Sequence, residues 1–225
     1  MKRLFGILSV IIFSAVIAAA QTPEKKNPPP PPAAGDKAQY LDRLISQNYI
    51  NIRDLRSSVI NYGGGQQQFN VLLDGFSAAF AKYLSEQKEE SAKLFEKNDT
   101  DIKNTASGLA KKYQKDTDDM YSQLIKIAVK DRMDKSINRN NVETEMDLSS
   151  PNDFYLKSAA HLMRIGDLRI TENNPIEAIF YYRKSKQYIF QSYTEMGIAV
   201  EKRFDKDIAD MRGEIYVPEE KKKTK

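Results

Sequence analysis

Asn174-Pro175-Ile176-Glu177-Ala178-Ile179-Phe180-Tyr181-Tyr182-Arg183-Lys184-Ser185-Lys186 is the stretch that decides the fold class. An Asn side chain can accept one of the free amide hydrogens that open a helix. Pro at the first helical position has no N–H to leave unpaired, and the carboxylate of Glu177 meets the positive end of the helix dipole. Ser150-Pro151-Asn152-Asp153 is the same device upstream, with Ser150 and Asp153 as an S-x-x-D box. Helices are therefore expected over 151–171 and 175–212. Only a few residues join them, which favours an antiparallel hairpin.

The pattern extends towards the N-terminus. No Pro stands between Ala33 and Ser150, which favours long helices. Asp36 can cap a first helix over 36–61, whose Leu41, Leu44, Ile45, Ile52, Leu55 and Val59 form one apolar stripe. Gly63-Gly64-Gly65 ends it, because three residues without Cβ favour a turn. From Gln66, the residues Phe69, Leu72, Leu73, Phe76, Phe80, Tyr83 and Leu84 share a face. Ile102, Ala106, Leu109, Tyr113, Thr117, Met120, Leu124 and Ile127 continue at spacings of three and four. Asn98-Asp99-Thr100-Asp101 offers caps at which this run could divide. The favoured reading is one continuous or merely kinked rod over 66–137, ~108 Å long at 1.5 Å per residue. Glu89 with Lys93, Asp99 with Lys103 and Asp131 with Lys135 are i,i+4 pairs that suit a solvated helix. Residues 138–149 are polar and aperiodic, a loop. The expectation is an all-α, elongated single domain over 36–212, ending in the hairpin and followed by a basic disordered tail over 213–225.

The first twenty residues read as an address. Lys2 and Arg3 precede a mostly apolar run to Ile17, and Ala18-Ala19-Ala20 follows, the pattern of a secretory signal peptide over 1–20. The run is shorter than the ~20 apolar residues of a spanning helix, so no membrane insertion is expected after cleavage. Residues 21–35, with Pro28 to Pro32, read as an extended linker. With no Cys in the chain, an exported protein must be held by packing alone.

Charge and chemistry narrow the function. The formal net charge is +4, of which Lys2 and Arg3 supply half; the tail from 218 carries +2 and 24–26 carries +1, so the body over 27–217 is near neutral. A nucleic-acid footprint needs basic residues gathered on one face, so no nucleic-acid partner is expected. His161 is the only His, and without Cys neither a His/Cys zinc site nor a Cys–His dyad can form. Asp116, Asp118 and Asp119 point in different directions on a helix and read as a solvated face. Gly63-Gly64-Gly65 lacks the strand and the Lys of a phosphate loop. The expectation is a non-enzyme with no catalytic residues, no cofactor and no metal.

The last helix carries more aromatic bulk than a hairpin partner can cover. Phe180, Tyr181, Tyr188, Phe190 and Tyr193 are either the core of the chain's own bundle or a contact surface for another protein. Both alternatives remain open at this level.

Two resemblances sharpen the expectation. Gly166, Ala178, Tyr182 and Ser185 are spaced so that the hairpin resembles a single tetratricopeptide repeat, although Arg169 stands where Tyr is common and no Pro closes the unit. The signal peptide, the Pro-rich start, the long charged helices and the segment from Asn174 to Lys186 together resemble the flagellar coiling and sheath proteins of spirochaetes such as Leptospira, over roughly 40–211. That resemblance implies a helical periplasmic protein that coats the flagellar filament, with protein partners in the cell envelope, oligomerisation left open and no catalytic residues to transfer. A holdase chaperone of the Skp kind is the main rival, but such arms are strongly basic and this body is not. A tetratricopeptide-like envelope scaffold is the third reading. N-terminal sequencing of protein recovered from cells should begin at or near Gln21; a chain that retains Met1 overturns the export reading.

Overall fold

The computed structural model describes residues 34–138 and 151–219, and all of their regular structure is helical. The signal peptide, nearly all of the Pro-rich stretch, most of the 138–149 loop and the end of the basic tail lie outside the described residues. The elements are α1 (Ala34–Tyr62), α2 (Gly65–Leu84), α3 (Lys88–Asn138), α4 (Pro151–Thr171), α5 (Pro175–Glu195), a 3-10 turn (Lys202–Phe204) and α6 (Asp205–Met211).

The 51-residue α3 is the spine, roughly 76 Å long at 1.5 Å per residue. Its buried positions fall in an eleven-residue rhythm: Ser91, Ile102, Tyr113 and Leu124; Phe95, Ala106, Thr117 and Ala128; Asn98, Leu109 and Met120. Eleven residues make almost exactly three turns, so the stripe drifts by only about 20° per repeat and one side of the helix stays inward along most of its length. The N-terminal half of that stripe is covered by α1 and α2. The C-terminal half is covered by α4 and α5, and α5 reaches back to join the middle core through Ala178, Ile179 and Tyr182. Three apolar clusters stack along the spine: Leu41, Ala79 and Phe95 at one end, the Val59–Leu109–Tyr113 group in the middle, and the Leu124–Ile189–Phe190 group at the other.

Two close approaches hold neighbouring helices. A Cβ on Gly75 of α2 would lie 2.3 Å from Asn98 Oδ1. Asn98 is itself buried and donates to Asn48 Oδ1 at 3.1 Å, which links α2, α3 and α1. A Cβ on Gly166 of α4 would lie 2.8 Å from the Tyr182 ring of α5. The small residue in this hairpin thus makes room for an aromatic ring.

The all-α expectation holds, as do the glycine break and the start of both hairpin helices. Gly64 and Gly65 have φ of 107° and 78° between α1 and α2. Asn174 caps α5, accepting from the Glu177 amide at 3.4 Å. The 66–137 rod is corrected: the chain breaks at Ser85-Glu86-Gln87, well before Asn98, and α2 packs on α3. The helix expected to run to Arg212 is also corrected, since α5 ends at Glu195 and the chain turns at Gly197. Four helix ends share one geometry, in which a residue with positive φ lets the next amide reach back five residues. Gln87 N–H reaches Lys82 O, Asn174 reaches Arg169 O, Ile198 reaches Tyr193 O and Glu214 reaches Ala209 O. The pivots are Glu86, Asn173, Gly197 and Gly213. Of the residues expected to share one face of α2, Leu73 and Leu84 are exposed.

Glu86 is the costly pivot, because its φ of 59° brings Cβ against the following carbonyl and only Gly escapes that penalty. Glu86→Gly should stabilise the protein by about 1 kcal/mol, read as a higher urea midpoint at unchanged slope.

Candidate protein-contact surface

Helical geometry divides the aromatic residues of α5 into two sets. At about 100° per residue, with Phe180 at zero, Lys184, Tyr188 and Tyr181 fall about 40°, 80° and 100° to one side of it, while Phe190 and Tyr193 fall about 80° and 140° to the other. The burial follows this division. Phe190 and Tyr193 are buried in the C-terminal cluster, packed with Leu124 and Ile189, so these two residues belong to the core. Phe180 is 53% exposed, and Tyr181 and Tyr188 are half-buried.

The outward set forms two ring groups. Phe180 and Tyr181 meet edge to face at 5.5 Å, with Lys184 Nζ 5.9 Å from the Phe180 ring. Further along, Tyr188 joins Phe154 at 6.1 Å and Tyr155 at 6.2 Å, both on α4. Phe154 is 59% exposed. Phe154 and Tyr155 were not singled out in the sequence. Their only signal is position, in the first turn of α4, where side chains sit beside the last turns of the antiparallel α5.

Phe180 also forms one wall of an open groove of about 1250 Å³ between α1 and the start of α5. Leu44, Ile50 and Leu55 of α1 face Ile176 and Ile179 across it, and its rim mixes both signs of charge through Arg43, Asp54, Lys103 and Glu177.

A second cluster, which no local sequence pattern marks, lies under the C-terminal segment. Asp210 of α6 is 1% exposed. The Tyr113 hydroxyl donates to its Oδ2 and stands 2.9 Å from Ser58 Oγ, whose hydrogen it can accept. Arg183 Nε lies 3.4 Å from the same carboxylate, and the Arg183 guanidinium donates to the Asp210 carbonyl. Asp207 accepts from Tyr62 at 2.7 Å and from Lys186 Nζ at 2.6 Å. Lys186 is buried, with its ammonium 4.8 Å from the Tyr113 ring centre and 5.3 Å from that of Tyr62. Asn61 donates to the Glu214 carbonyl and accepts from the Tyr216 amide, both at 3.0 Å. The first residues of the expected disordered tail are thus tied to α1.

Among the described residues no group of three potential metal ligands assembles, and no helix is long and apolar enough to cross a membrane. His161, Asp118 and Asp119 are exposed. Comparison with protein-family models, with curated proteins and with solved structures returns no match for this chain.

Burial, reinforced by Asp210 and Asp207, holds the Tyr113 and Tyr62 hydroxyls well above their ordinary value of 10.0; burial and a hydrogen bond to Asp167 do the same for Tyr182. The neutral hydroxyl is the folded form. Stability is therefore intact below about pH 10 and is lost as pH rises above it, because only the unfolded chain ionises there. Each such tyrosine steepens that loss by at most about 1.4 kcal/mol per pH unit. Thermal melts at pH 8 and pH 11 should show a steep alkaline fall, and Tyr62→Phe should flatten it.

Proposed function

We propose that this chain is a non-enzymatic, exported structural protein that assembles onto a larger partner in the cell envelope, and that it serves as a coat or sheath component of periplasmic flagella. The observation that carries the assembly reading is the outward aromatic arc of the α4–α5 hairpin. Phe154 and Phe180 stand more than half exposed and are flanked by Tyr155, Tyr181 and Tyr188. Large aromatics left on a rigid surface bind well, since they bury much area at little entropic cost and dominate interface hot spots. The long spine supports a coat role, because it presents this arc on a stiff unit that can repeat along a filament. The flagellar identity rests on the resemblance of the signal peptide, the Pro-rich start and the Asn174–Lys186 stretch to the sheath proteins. The groove beside Phe180 favours a second reading, a helical envelope scaffold that holds a peptide between α1 and α5.

Phe154→Ala with Phe180→Ala should weaken co-sedimentation with isolated filaments by about 2–4 kcal/mol while leaving the thermal melt unchanged. Phe190→Ala should instead lower the melt, as a large-to-small core change costs roughly 3–5 kcal/mol. Undiminished sedimentation of the double variant removes the arc as the assembly surface. Wild-type protein that pellets with other envelope fractions but not with filaments removes the flagellar reading and favours the scaffold.

A further inference from the structure

We propose that residues 198–216 are a releasable strap seated in a cradle that recognises acidic amphipathic peptide, so that a partner segment of this chemistry can take the strap's place. Two carboxylates of the strap meet donors and cations of the body, while elsewhere along the interface Arg203 of the strap donates to Gln123 and Lys206 lies 4.7 Å from the Tyr62 ring centre. The carboxylates are those of Asp207 and Asp210. Their donors and cations are Tyr62 and Asn61 on α1, Tyr113 on α3, Arg183 and Lys186 on α5.

The cradle also reads main chain. Asn61 brackets the Glu214 carbonyl and the Tyr216 amide, and Arg183 donates to the Asp210 carbonyl. Those contacts specify a peptide over a small anion. The apolar part of the ligand is likewise defined. Phe204, Ile208 and Met211 pack on the α3–α5 surface, with the Phe204 ring 6.4 Å from that of Phe190. Phe204, Asp207, Ile208 and Met211 recur at spacings of three and four, one face of a short acidic helix.

Three features make the occupant replaceable. α6 has only seven residues, too few to be stable without its seat. Gly197 before the strap and Gly213 just past α6, with φ of 66° and 78°, are pivots that carry no Cβ. Lys186 and Asp210 are each 1% exposed, and the desolvation that burial imposes on such charges is returned when the strap leaves. Opening therefore costs less than parting an apolar contact of the same area. Lys186 keeps its place when the carboxylates depart, since the Tyr62 and Tyr113 rings flank its ammonium.

Hydrogen–deuterium exchange on the full chain tests the release. Asp207→Asn and Asp210→Asn should each speed exchange over 198–216 by about tenfold or more, with α2 and the first half of α3 unchanged. A uniform rise along the chain, or none in the strap, overturns the proposal. Should the Asp210 variant fail to fold, Asp207→Asn carries the test, because the Asp207 side chain is less enclosed, at 12% exposure. A fluorescein-labelled peptide with the sequence of residues 202–216 then probes the cradle. It should bind the Asp207→Asn chain about tenfold or more tighter than wild type, whose strap competes in cis. The same peptide with Asn at positions 207 and 210 should lose binding. No binding to the variant, or equal binding of the Asn-substituted peptide, overturns the carboxylate-reading cradle.

Discussion

An apolar stripe along a 51-residue helix is the constraint on which the rest of the molecule depends. A single helix cannot cover such a stripe, and leaving it in water costs about 25 cal/mol for each Å² of apolar area exposed. The chain meets this with two helix pairs in series, α1 with α2 and α4 with α5, each closing a three-helix layer on its own half of α3. The eleven-residue rhythm makes the arrangement work, because a near-straight stripe presents the same side to both pairs. α5 then crosses the junction, placing Ala178, Ile179 and Tyr182 in the middle cluster and Ile189, Phe190 and Tyr193 in the last. The two bundles share one spine and one bridging helix.

That bridging duty explains the aromatic excess of α5. A helix packed by α4 on one flank and by α3 on another needs large side chains over well over a third of its circumference. Phe190 and Tyr193 serve that need. Phe180, Tyr181 and Tyr188 lie on the remaining arc, which the described helices cover only in part, and Phe154 and Tyr155 extend it on α4. The surplus is therefore a surface feature with a definite place in the fold.

The middle of the molecule mixes this apolar packing with buried charge. Lys186 and Asp210 sit beside Tyr62 and Tyr113 at the point where α1, α3, α5 and the C-terminal segment meet. Breaking one partner of such a set is expensive because the other is left buried and unpaired, whereas separating the two sides whole lets both hydrate. The network ties the C-terminal segment to α1, α3 and α5 through its two carboxylates and its main chain.

The sequence by itself determined the helical class, the turn at Gly63-Gly64-Gly65 and the hairpin start at Asn174-Pro175, because capping, missing Cβ atoms and fixed φ act within a few residues. The end of α5 at Gly197 was equally local and could have been found from that glycine. The break at Glu86 was not legible, since a Glu enters the left-handed region only when packing on both sides repays the strain: Phe76 on Phe95, and Ser91 Oγ on the Ala79 carbonyl. Which aromatic residues face outwards was half legible, as angular position puts Tyr181 and Tyr188 on one side of Phe180 and Phe190 and Tyr193 on the other but cannot say which side the spine will cover. The pairing of Asp207 and Asp210 with Lys186, Tyr62 and Tyr113 was decided by tertiary structure alone. These residues stand up to 149 positions from their partners, as Asn61 does from Asp210, and no local rule of propensity or spacing reaches that far; only the meeting of four segments around one spine brings such charges within hydrogen-bond distance.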